Sequence, residues 1–585
     1  MAYRSMQSDD ILRYYRREMA YLRQQAADFA QRYPKVAGGL LLHGGESPDP
    51  HVERLLESFA FLSARVHREI DQAVPQLATA LLENLCPALA QAVPSMSVVQ
   101  LRLDASQGKV TAGFPLARGT ELVARASGGQ TCRFQTAWDS ELWPLRLGQA
   151  RLLDEQTLSL ELCSEAGARL SELDIRRLRV HVSGDWMEAA PLYEWLVAGV
   201  LRTSLVGETS RHEAGDWREL GFEADEDVLR LEGYGHPAHT LLRELFAFPR
   251  KFHFFELELP QGLPFLQERC EMRLTMRQPL RGHKGVGEGS FRLGCVPVIN
   301  RFALTSEPLT LDGKTYEYPL AASWPDAATV EILSVERVYL SDPMAERTIP
   351  IPHFAAVHHQ QAVAPPMFWT SRRQASLRPY GGTDTLIGFV DVTSRLARPG
   401  APVAYARLWC SNRRLAEQVP AGAKLYFDKV RANLDAVCLY EPTAQRDPPL
   451  GGEQLWQLAG FVTTHQQSLF ESDGSSRRLQ EVLRLFAGDS PREIGMIQGL
   501  LHARATRTSL PARQGSWRGY LQGSDVVLEF DPDAYAGSSP LLLAAVLARY
   551  FALTTVVNAF VRTTVRQGDG VWHSWPAMTG YEAIL

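Results

Sequence analysis

Apolar side chains in the first 95 residues recur at the spacing of amphipathic helices. Between residues 11 and 33 they follow one another at alternating steps of four and three, which places them on one side of a helix. This series consists of Tyr15, Met19, Leu22, Ala26, Phe29 and Tyr33. A second series with the same spacing consists of Val52, Leu55, Phe59, Leu62, Val66 and Ile70. Each series predicts a helix whose apolar face packs against a partner.

Local signals divide this region into three predicted helices. Asp49 can cap the second helix and Pro50 suits its first position, where the missing N–H would be unpaired anyway. The third helix is expected to begin near Pro75 and to stop before Pro87, because the proline ring disfavours helical geometry at Cys86. The sequence therefore predicts a segment of three short helices.

Beyond Pro94 the pattern changes to the alternation of a half-buried strand, with apolar Val99, Leu101 and Leu103 separated by polar residues. Glycine and proline turns then punctuate short apolar runs. The sequence predicts an α+β multidomain protein with β-rich central domains and a mixed α/β C-terminal domain. Its expected divisions are a helical segment 1–93, a β-rich domain 94–180, a mixed β domain with helices 181–365, and an α+β domain 366–585.

Several elements within these divisions have their own signals. Helices are expected at 187–205, 238–248 and 540–561, and the Asp312-Gly313 pair predicts a hairpin turn. Three segments rich in glycine or proline are interpreted as exposed connections and as candidate hinges. They are residues 281–290, 362–367 and 441–449.

The apolar run from Leu541 to Val561 is long enough to suggest a membrane span. It contains Arg549 and Asn558, and a charge near the centre of a bilayer costs at least about 2.5 kcal/mol. Ser539 and Pro540 instead form a typical helix start. The run is therefore interpreted as a buried core helix.

Composition narrows the classes of function. The net charge of −5 and pI near 6.3 disfavour nucleic acid as a ligand. The seven cysteines are scattered, which is typical of buried thiols in a reducing compartment, and the first residues contain no apolar signal-peptide core. These features predict a cytoplasmic protein. The first 35 residues are basic, which indicates either a solvated helix face or a docking surface for an acidic partner.

The sequence contains partial matches to catalytic motifs, but each lacks a residue that the motif requires. Gly313-Lys314-Thr315 could end a phosphate-binding loop, but Pro308 stands where its first glycine is required. His353, His358 and His359 form a histidine cluster without a coherent ligand set. Trp572 and Trp575 are interpreted as core first and as docking anchors second. No catalytic, cofactor or metal site is predicted; a hydrolase whose site is assembled across the fold stays the alternative.

Six blocks of sequence resemble one known family, the TssF (VasA/ImpG) subunits of the type VI secretion baseplate. They extend from residue 13 into the last third of the chain, in the family's order. The blocks are RYYRREMAYLRQQAADFAQRYPKVAG, DPHVERLLESFAFLSARVHREID, LLENLCPALAQAVPSMSVVQL, LLRELFAFPRKFHFF, CVPVINRF and LWCSNRRLAEQVP.

This resemblance implies a structural subunit related to the wedge proteins of contractile-phage baseplates, without a cofactor. It implies assembly with TssG, TssK and a second TssF copy around the VgrG spike, where the wedge receives the sheath and tube. The protein would be cytoplasmic and recruited to the inner-membrane complex, with no nucleic acid bound and no membrane insertion. Its protein-interaction positions are expected to be Tyr15, Met19, Leu22, Ala26, Phe29, Tyr33, Leu55, Phe59 and Leu62.

Overall fold

The structure is a computed structural model of the 585-residue chain. It describes residues 2–33, 35–36, 49–103, 110–165, 167–230, 235–260, 262–280, 286–287, 289–311, 315–342, 347–354, 367–391, 403–428, 434–462, 469–470, 474–514, 517–535, 537–568 and 570–580.

Two long helices form the N-terminal region, α1 (Ala2–Arg32) and α2 (Pro50–Leu85). The predicted break near Pro75 is wrong, because α2 is helical through this residue. A proline removes one hydrogen bond from the ladder, and the remaining bonds of a 36-residue helix outweigh that loss. The predicted stop before Pro87 is confirmed, since Cys86 has left helical geometry at φ −155° and ψ 74°.

The chain divides into two compact units. The first comprises Met1–Asn84 and Pro449–Gly460, and the second comprises Leu85–Pro448 and Phe461–Leu585. Further α-helices of the described residues are α3 (Trp186–Gly199), α4 (Pro237–Ala247), α5 (Gly452–Val462), α6 (Arg477–Arg484), α7 (Pro491–Gln498) and α8 (Pro540–Leu553).

The strands of the first half of the chain are β1 (Met96–Leu103), β2 (Phe114–Leu116), β3 (Glu121–Arg125), β4 (Thr131–Thr136), β5 (Ser140–Leu142), β6 (Leu145–Asp154), β7 (Thr157–Ser164), β8 (Arg177–Val182), β9 (Val200–Val206), β10 (Arg211–Glu213), β11 (Trp217–Glu219), β12 (Phe254–Glu258), β13 (Arg269–Met276), β14 (Phe291–Arg292) and β15 (Cys295–Ile299).

Those of the second half are β16 (Phe302–Thr305), β17 (Leu309–Thr310), β18 (Glu317–Pro319), β19 (Glu331–Asp342), β20 (Arg347–Ile351), β21 (Met367–Ala375), β22 (Thr383–Asp391), β23 (Val403–Ser411), β24 (Lys424–Phe427), β25 (Leu434–Cys438), β26 (Leu500–Gln514), β27 (Trp517–Phe530), β28 (Ala559–Gln567), β29 (Gly570–Ser574) and β30 (Met578–Thr579).

A closed barrel lies in the second unit, with the strand order β1-β15-β4-β3-β24-β25. The alternation predicted around β1 is confirmed: Val99 and Leu101 point into the barrel core, whereas Arg102 is exposed. Val298, Phe134, Leu122 and the residues around Leu425 fill the same interior. Alternate residues of a strand point to opposite faces, so one apolar residue in two is enough to fill a barrel.

The remaining strands form further sheets. One has the order β10-β9-β13-β7-β6, a second β11-β12-β8-β14, and β2 pairs with β5. The sheets β16-β23-β19-β20 (with β17 on β23) and β18-β22-β21 share a core that includes Phe302, Ile387 and Leu408. The C-terminal sheet has the order β26-β27-β28-β29, and β30 pairs with β28. The predicted α+β fold with a helical N-terminal segment is therefore confirmed.

Helix α8 is a buried core helix, as predicted, but it ends earlier. The residues from Leu541 to Ala548 are at most 2% exposed, which explains their uniformly apolar character. The expected extent to residue 561 is wrong, because Leu553 is followed by a turn and then by β28. The run Thr554–Val557 is β-branched and disfavours a helix. No helix of the described residues has both the length and the apolarity needed to cross a membrane.

Another local prediction needs correction. The helix expected at 187–205 ends at Gly199, because the β-branched residues after it join β9. The hairpin expected at Asp312-Gly313 stays a prediction, because these two residues lie outside the described residues. On either side of them, β17 pairs with β23 and β18 pairs with β22.

The segment 441–449, expected as an exposed linker, is anchored inside the second unit up to Pro448. Arg446 and Val93 exchange backbone hydrogen bonds of 2.9 and 2.8 Å, and the Arg446 guanidinium donates to the carbonyl of Phe246 and binds Glu493. Gln445 is 4% exposed. The other two candidate hinges lie largely outside the described residues. The divisions at 93, 180 and 365 stay predictions.

Candidate interaction surface

Polar contacts fix the pairing of α1 with α2. Glu18 of α1 accepts a hydrogen bond from the Ser63 hydroxyl at 2.9 Å and lies 2.8 Å from Nδ1 of His67. Nearer the other end, Arg23 and Glu53 form an ion pair of 2.7 Å. Because residue numbers rise along α1 as they fall along α2 through these contacts, the two helices are antiparallel.

The face of α2 next to these contacts carries small side chains. Ala60 and Ala64 are completely buried, and they lie within one turn of Ser63 and His67. A methyl side chain at these positions allows a neighbouring helix to approach closely. Two helices can then pack at the short end of the usual range of interaxial distances. Beside these contacts, the buried face of α2 thus consists of alanines rather than of large apolar residues.

The large apolar residues of α2 form an exposed stripe instead. Leu55, Phe59, Leu62 and Val66 follow steps of four, three and four, and their exposed fractions are 72%, 60%, 58% and 54%. At about 100° per residue, this stripe lies roughly 150° around the helix from the alanine face, so the two are nearly opposite. We call these four residues the α2 apolar stripe.

The predicted interaction positions on α1 behave differently. Tyr15, Met19, Leu22 and Ala26 are half-buried, while Phe29 and Tyr33 near the end of the helix are 37% and 56% exposed, with ring centroids 5.3 Å apart. The structure therefore separates the predicted set into a half-buried group along α1 and an exposed group at the end of α1 and on α2. Val66 belongs to the exposed group; its spacing already indicated this, although it was not among the expected interaction positions.

A buried polar cluster joins the barrel to the neighbouring sheets. The Asn300 side chain accepts a hydrogen bond from the Asn412 backbone N–H (2.7 Å) and donates to the Asn412 side-chain oxygen (2.9 Å) and to the Arg133 carbonyl (2.6 Å). The same Asn412 oxygen accepts from the Arg133 backbone N–H at 2.9 Å. Both asparagines are completely buried. Each contact satisfies a polar group that would be costly to bury alone.

Arg413 continues this cluster into the sheets beyond the barrel. Its guanidinium donates to the carbonyls of Val330 and Gly381 and to the carboxylate of Asp384. Arg413 is 1% exposed and has φ +51°, an unusual backbone conformation that these contacts hold in place. The cluster could not be predicted, because its members are far apart in the sequence. The only sign of the cluster in the sequence is an amide or charged residue within an otherwise apolar run.

A second buried cluster consists of charged residues. Lys251 is completely buried and forms ion pairs with Glu244 and, at 3.6 Å, with Asp227. Glu244 also accepts hydrogen bonds from the backbone N–H groups of Val228 and Leu229. Burial raises the pKa of Asp227, and Lys251 opposes that shift. These contacts hold the segment after β11 against α4, so the cluster stabilises the fold.

Other titratable groups in the described residues also have structural surroundings. A cavity of about 370 Å³ between α3 and the start of α8 is lined by Trp186, Glu194 and Trp572. Burial raises the pKa of Glu194 to about 7, and a hydrogen bond from Ser539 partly offsets that shift. Trp575 is 3% exposed, so it belongs to the core. Burial also lowers the pKa of His253 to about 3 and thus keeps this ring neutral.

No group of three or more potential metal ligands comes together within the described parts of the chain. His353 lies against Trp369, with ring centroids 4.4 Å apart, whereas His358, His359 and Lys314 fall outside those parts. The seven cysteines are buried free thiols, as predicted. Burial raises the pKa of Cys132 to about 12, which makes a reactive thiolate unfavourable there.

The sequence of this chain matches a known protein family. The family model "Type VI secretion system, TssF" matches residues 7–582. The chain belongs to the TssF family. A relative, type VI secretion system component TssF1 of Pseudomonas aeruginosa, is 28% identical over 97% of this chain and 98% of its own length.

Two solved structures share the fold of this TssF-family chain. One belongs to a TssK-TssF-TssG baseplate subcomplex of the type VI secretion system; its TM-score is 0.74 at 22% identity, covering 91% of this chain and 99% of that one. Another belongs to the baseplate complex of this system, with a TM-score of 0.57 at 21% identity, covering 98% and 100%. The sequence-based assignment to TssF is therefore confirmed, and the family's blocks around Asn300 and Asn412 meet in the buried polar cluster.

Proposed function

We propose that this TssF-family chain is a structural subunit of the type VI secretion baseplate and assembles with TssG and TssK. The α2 apolar stripe carries this proposal, because four large apolar side chains on one helix face are exposed in the isolated chain. Fully burying a side chain of this kind contributes about 1.5–3 kcal/mol. A contiguous exposed patch is typical of a protein–protein interface.

The similar proteins support this choice of partners. A relative with the same fold occurs in a subcomplex with TssK and TssG, and this chain covers nearly all of that subunit. A bundle of helices from different subunits would cover the α2 apolar stripe together with Phe29 and Tyr33 at the end of α1. Large obligate interfaces bury apolar surface much as protein cores do.

The further parts of the proposal follow from the family. A second copy of the chain would join the same wedge, and the assembled baseplate would contact the VgrG spike and receive the sheath and tube. The chain would work in the cytoplasm, at the inner-membrane complex. Its role would be mechanical rather than catalytic, because the buried charged clusters described above are engaged in contacts that hold the fold together.

The test is co-expression of the tagged chain with TssG and TssK from the same secretion gene cluster, followed by purification and measurement of the complex mass. We expect a stable complex containing two copies of this chain. Leu55→Asp combined with Phe59→Asp should lower the yield of complex at least tenfold, because two carboxylates would have to be buried in an apolar interface.

Leu377→Asp is the matched control, since Leu377 lies in the second unit and is also 72% exposed, the same fraction as Leu55. This variant should form the complex at the normal yield. Unfolding curves for each variant separate a loss of assembly from a loss of folding. If the Leu55/Phe59 variant is folded and assembles normally, the stripe is not the interface.

A further inference from the structure

The C-terminal sheet presents a long edge strand. β26 pairs on one side with β27, in register from Leu500 opposite Phe530 to Gln514 opposite Trp517. β27 uses its other side for β28, from Gln522 to Glu529. The outer side of β26 is therefore an edge of the sheet, and its backbone groups are available to another strand.

The beginning of this edge is already covered. The backbone N–H of Ala503 donates to the carbonyl of Gly474 at 3.2 Å, on the side of β26 away from β27. Backbone groups point to alternate sides along a strand, so the N–H and C=O groups of Ala505, Arg507 and Ser509 point the same way as those of Ala503. Pro511 has the same parity, and proline is tolerated where its missing N–H would face away from the sheet.

Beyond Ala503 the edge is open. Within the described ranges, no backbone hydrogen bond reaches Ala505, Arg507 or Ser509 from outside the sheet. These three residues offer three N–H donors and three C=O acceptors in a row. An extended segment of about five residues could pair with them, since each second residue of the incoming strand would exchange hydrogen bonds with one of them.

The charged side chains of this edge strand are all basic. The sequence from Leu500 to Gln514 contains three arginines and one histidine, and no aspartate or glutamate. Arg504 and Arg507 are exposed, and no ion pair reaches either of them from the described residues. Being three residues apart, they project from opposite faces of the strand. By contrast, Arg562 of β28 is held by two hydrogen bonds to Asp525, of 2.8 and 2.7 Å.

We propose that the outer edge of β26, from Ala505 to Ser509, accepts an extended acidic segment of another subunit in the complex with TssG and TssK as an additional strand. The proposal rests on the proposed function. Backbone hydrogen bonds supply the affinity in this mode of recognition. Arg504 and Arg507 lie on the two faces of the sheet and attract carboxylates that flank the added strand.

Charged residues on an edge strand also protect a protein from aggregation. The two roles of the arginines differ in the assembled complex: a protected edge stays solvated, whereas a docking edge loses contact with water. Hydrogen–deuterium exchange of the backbone amides distinguishes them directly, because it reports on each hydrogen bond.

The experiment compares amide exchange of the chain alone with that of the purified complex with TssG and TssK. In the chain alone, the amides of Ala505, Arg507 and Ser509 should exchange fast. The amides of Arg504, Thr506 and Thr508 point toward β27 and should be protected in both samples, which makes them internal controls. In the complex, we expect exchange at the three outer amides to slow at least tenfold.

Arg507→Glu adds a charge test. It should weaken the protection of the outer amides at least tenfold, and low salt should increase the difference from the unaltered chain. Arg125→Glu, an exposed arginine of β3, is the matched control and should leave the protection unchanged.

Three results would overturn the inference. A complex in which the three outer amides exchange as in the chain alone contradicts it while leaving the proposed function intact. Protection in the isolated chain that rises with protein concentration would mean that a second copy covers this edge. Failure of the unaltered chain to bind TssG and TssK would remove the proposed function, and the inference with it.

Discussion

Asn300 and Asn412 are 112 residues apart in the sequence and form two hydrogen bonds with each other in the interior. Their contacts bind the end of β15 to the end of β23 and to β4, and Arg413 extends them to Asp384. Residues around both positions carry the family resemblance. Their role is to hold neighbouring sheets in one arrangement.

Asn300→Leu tests this role at the scale of one residue. Leucine is similar in size but leaves the Asn412 N–H and the Arg133 carbonyl without their partner. Each buried unsatisfied group costs about 1–3 kcal/mol, so we expect the free energy of unfolding to fall by about 2–6 kcal/mol. Calorimetric or denaturant unfolding measures it.

Asn558→Leu is the control for Asn300→Leu, because Asn558 is exposed and the chemical change is identical. Its effect should stay within about 0.5 kcal/mol. Equal destabilisation by both variants would show that the buried amide contributes nothing specific. Sequence alone indicated that asparagine and arginine stood in apolar runs. It did not indicate their partners, because a hydrogen bond between distant residues leaves no periodic signal.

At the scale of elements, periodicity predicted which residues form helices and strands better than where these elements end. The apolar spacing from residue 52 to 70 correctly indicated a helix, and α8 was correctly assigned as buried. The errors at Pro75 and Leu553 have opposite causes. At Pro75 a breaker was overridden by a long hydrogen-bonded ladder, whereas after Leu553 a β-branched run ended a helix that its apolar character alone would have extended.

Spacing identified the large apolar residues of α2 as a face that packs against a partner, and this stays a prediction. It did not show that Ala60 and Ala64 are the residues that α2 buries within the chain. A sequence pattern shows that an apolar face exists, but it does not show whether the partner is in the same chain. That distinction depends on tertiary structure.

Pro75→Ala tests the account of α2. The substitution restores an N–H donor to the helix, and in a helix interior proline costs up to about 3 kcal/mol more than alanine. We expect slower amide exchange across residues 71–79. Pro87→Ala is the control: Pro87 is the first residue of a 3₁₀-helix, where proline is favourable, so no gain is expected. Unchanged exchange in Pro75→Ala would mean that the proline does not weaken α2.

At the scale of the whole molecule, the barrel is built from strands that are distant in the sequence. β1 begins at Met96, β15 ends at Ile299, and β24 and β25 lie between Lys424 and Cys438. Strand β1 pairs with β15 on one side and with β25 on the other. Patterning predicted the strand around Val99 and a β-rich region after it. It could not predict that these strands close into one barrel, since many pairings of short strands satisfy the same alternation.

This topology predicts how fragments of the chain behave. A fragment of residues 1–365 lacks β24 and β25, so β1 and β3 lose partners and the core around Val99 and Leu122 is exposed. Unpaired strands with an open core promote aggregation. We expect fragment 1–365 to be insoluble when expressed alone and to become soluble when residues 366–585 are co-expressed, because the two pieces can close the barrel without a covalent link. Recovery of 1–365 alone as a soluble monomer with a cooperative unfolding transition would contradict this account and would support an independent domain boundary at 365.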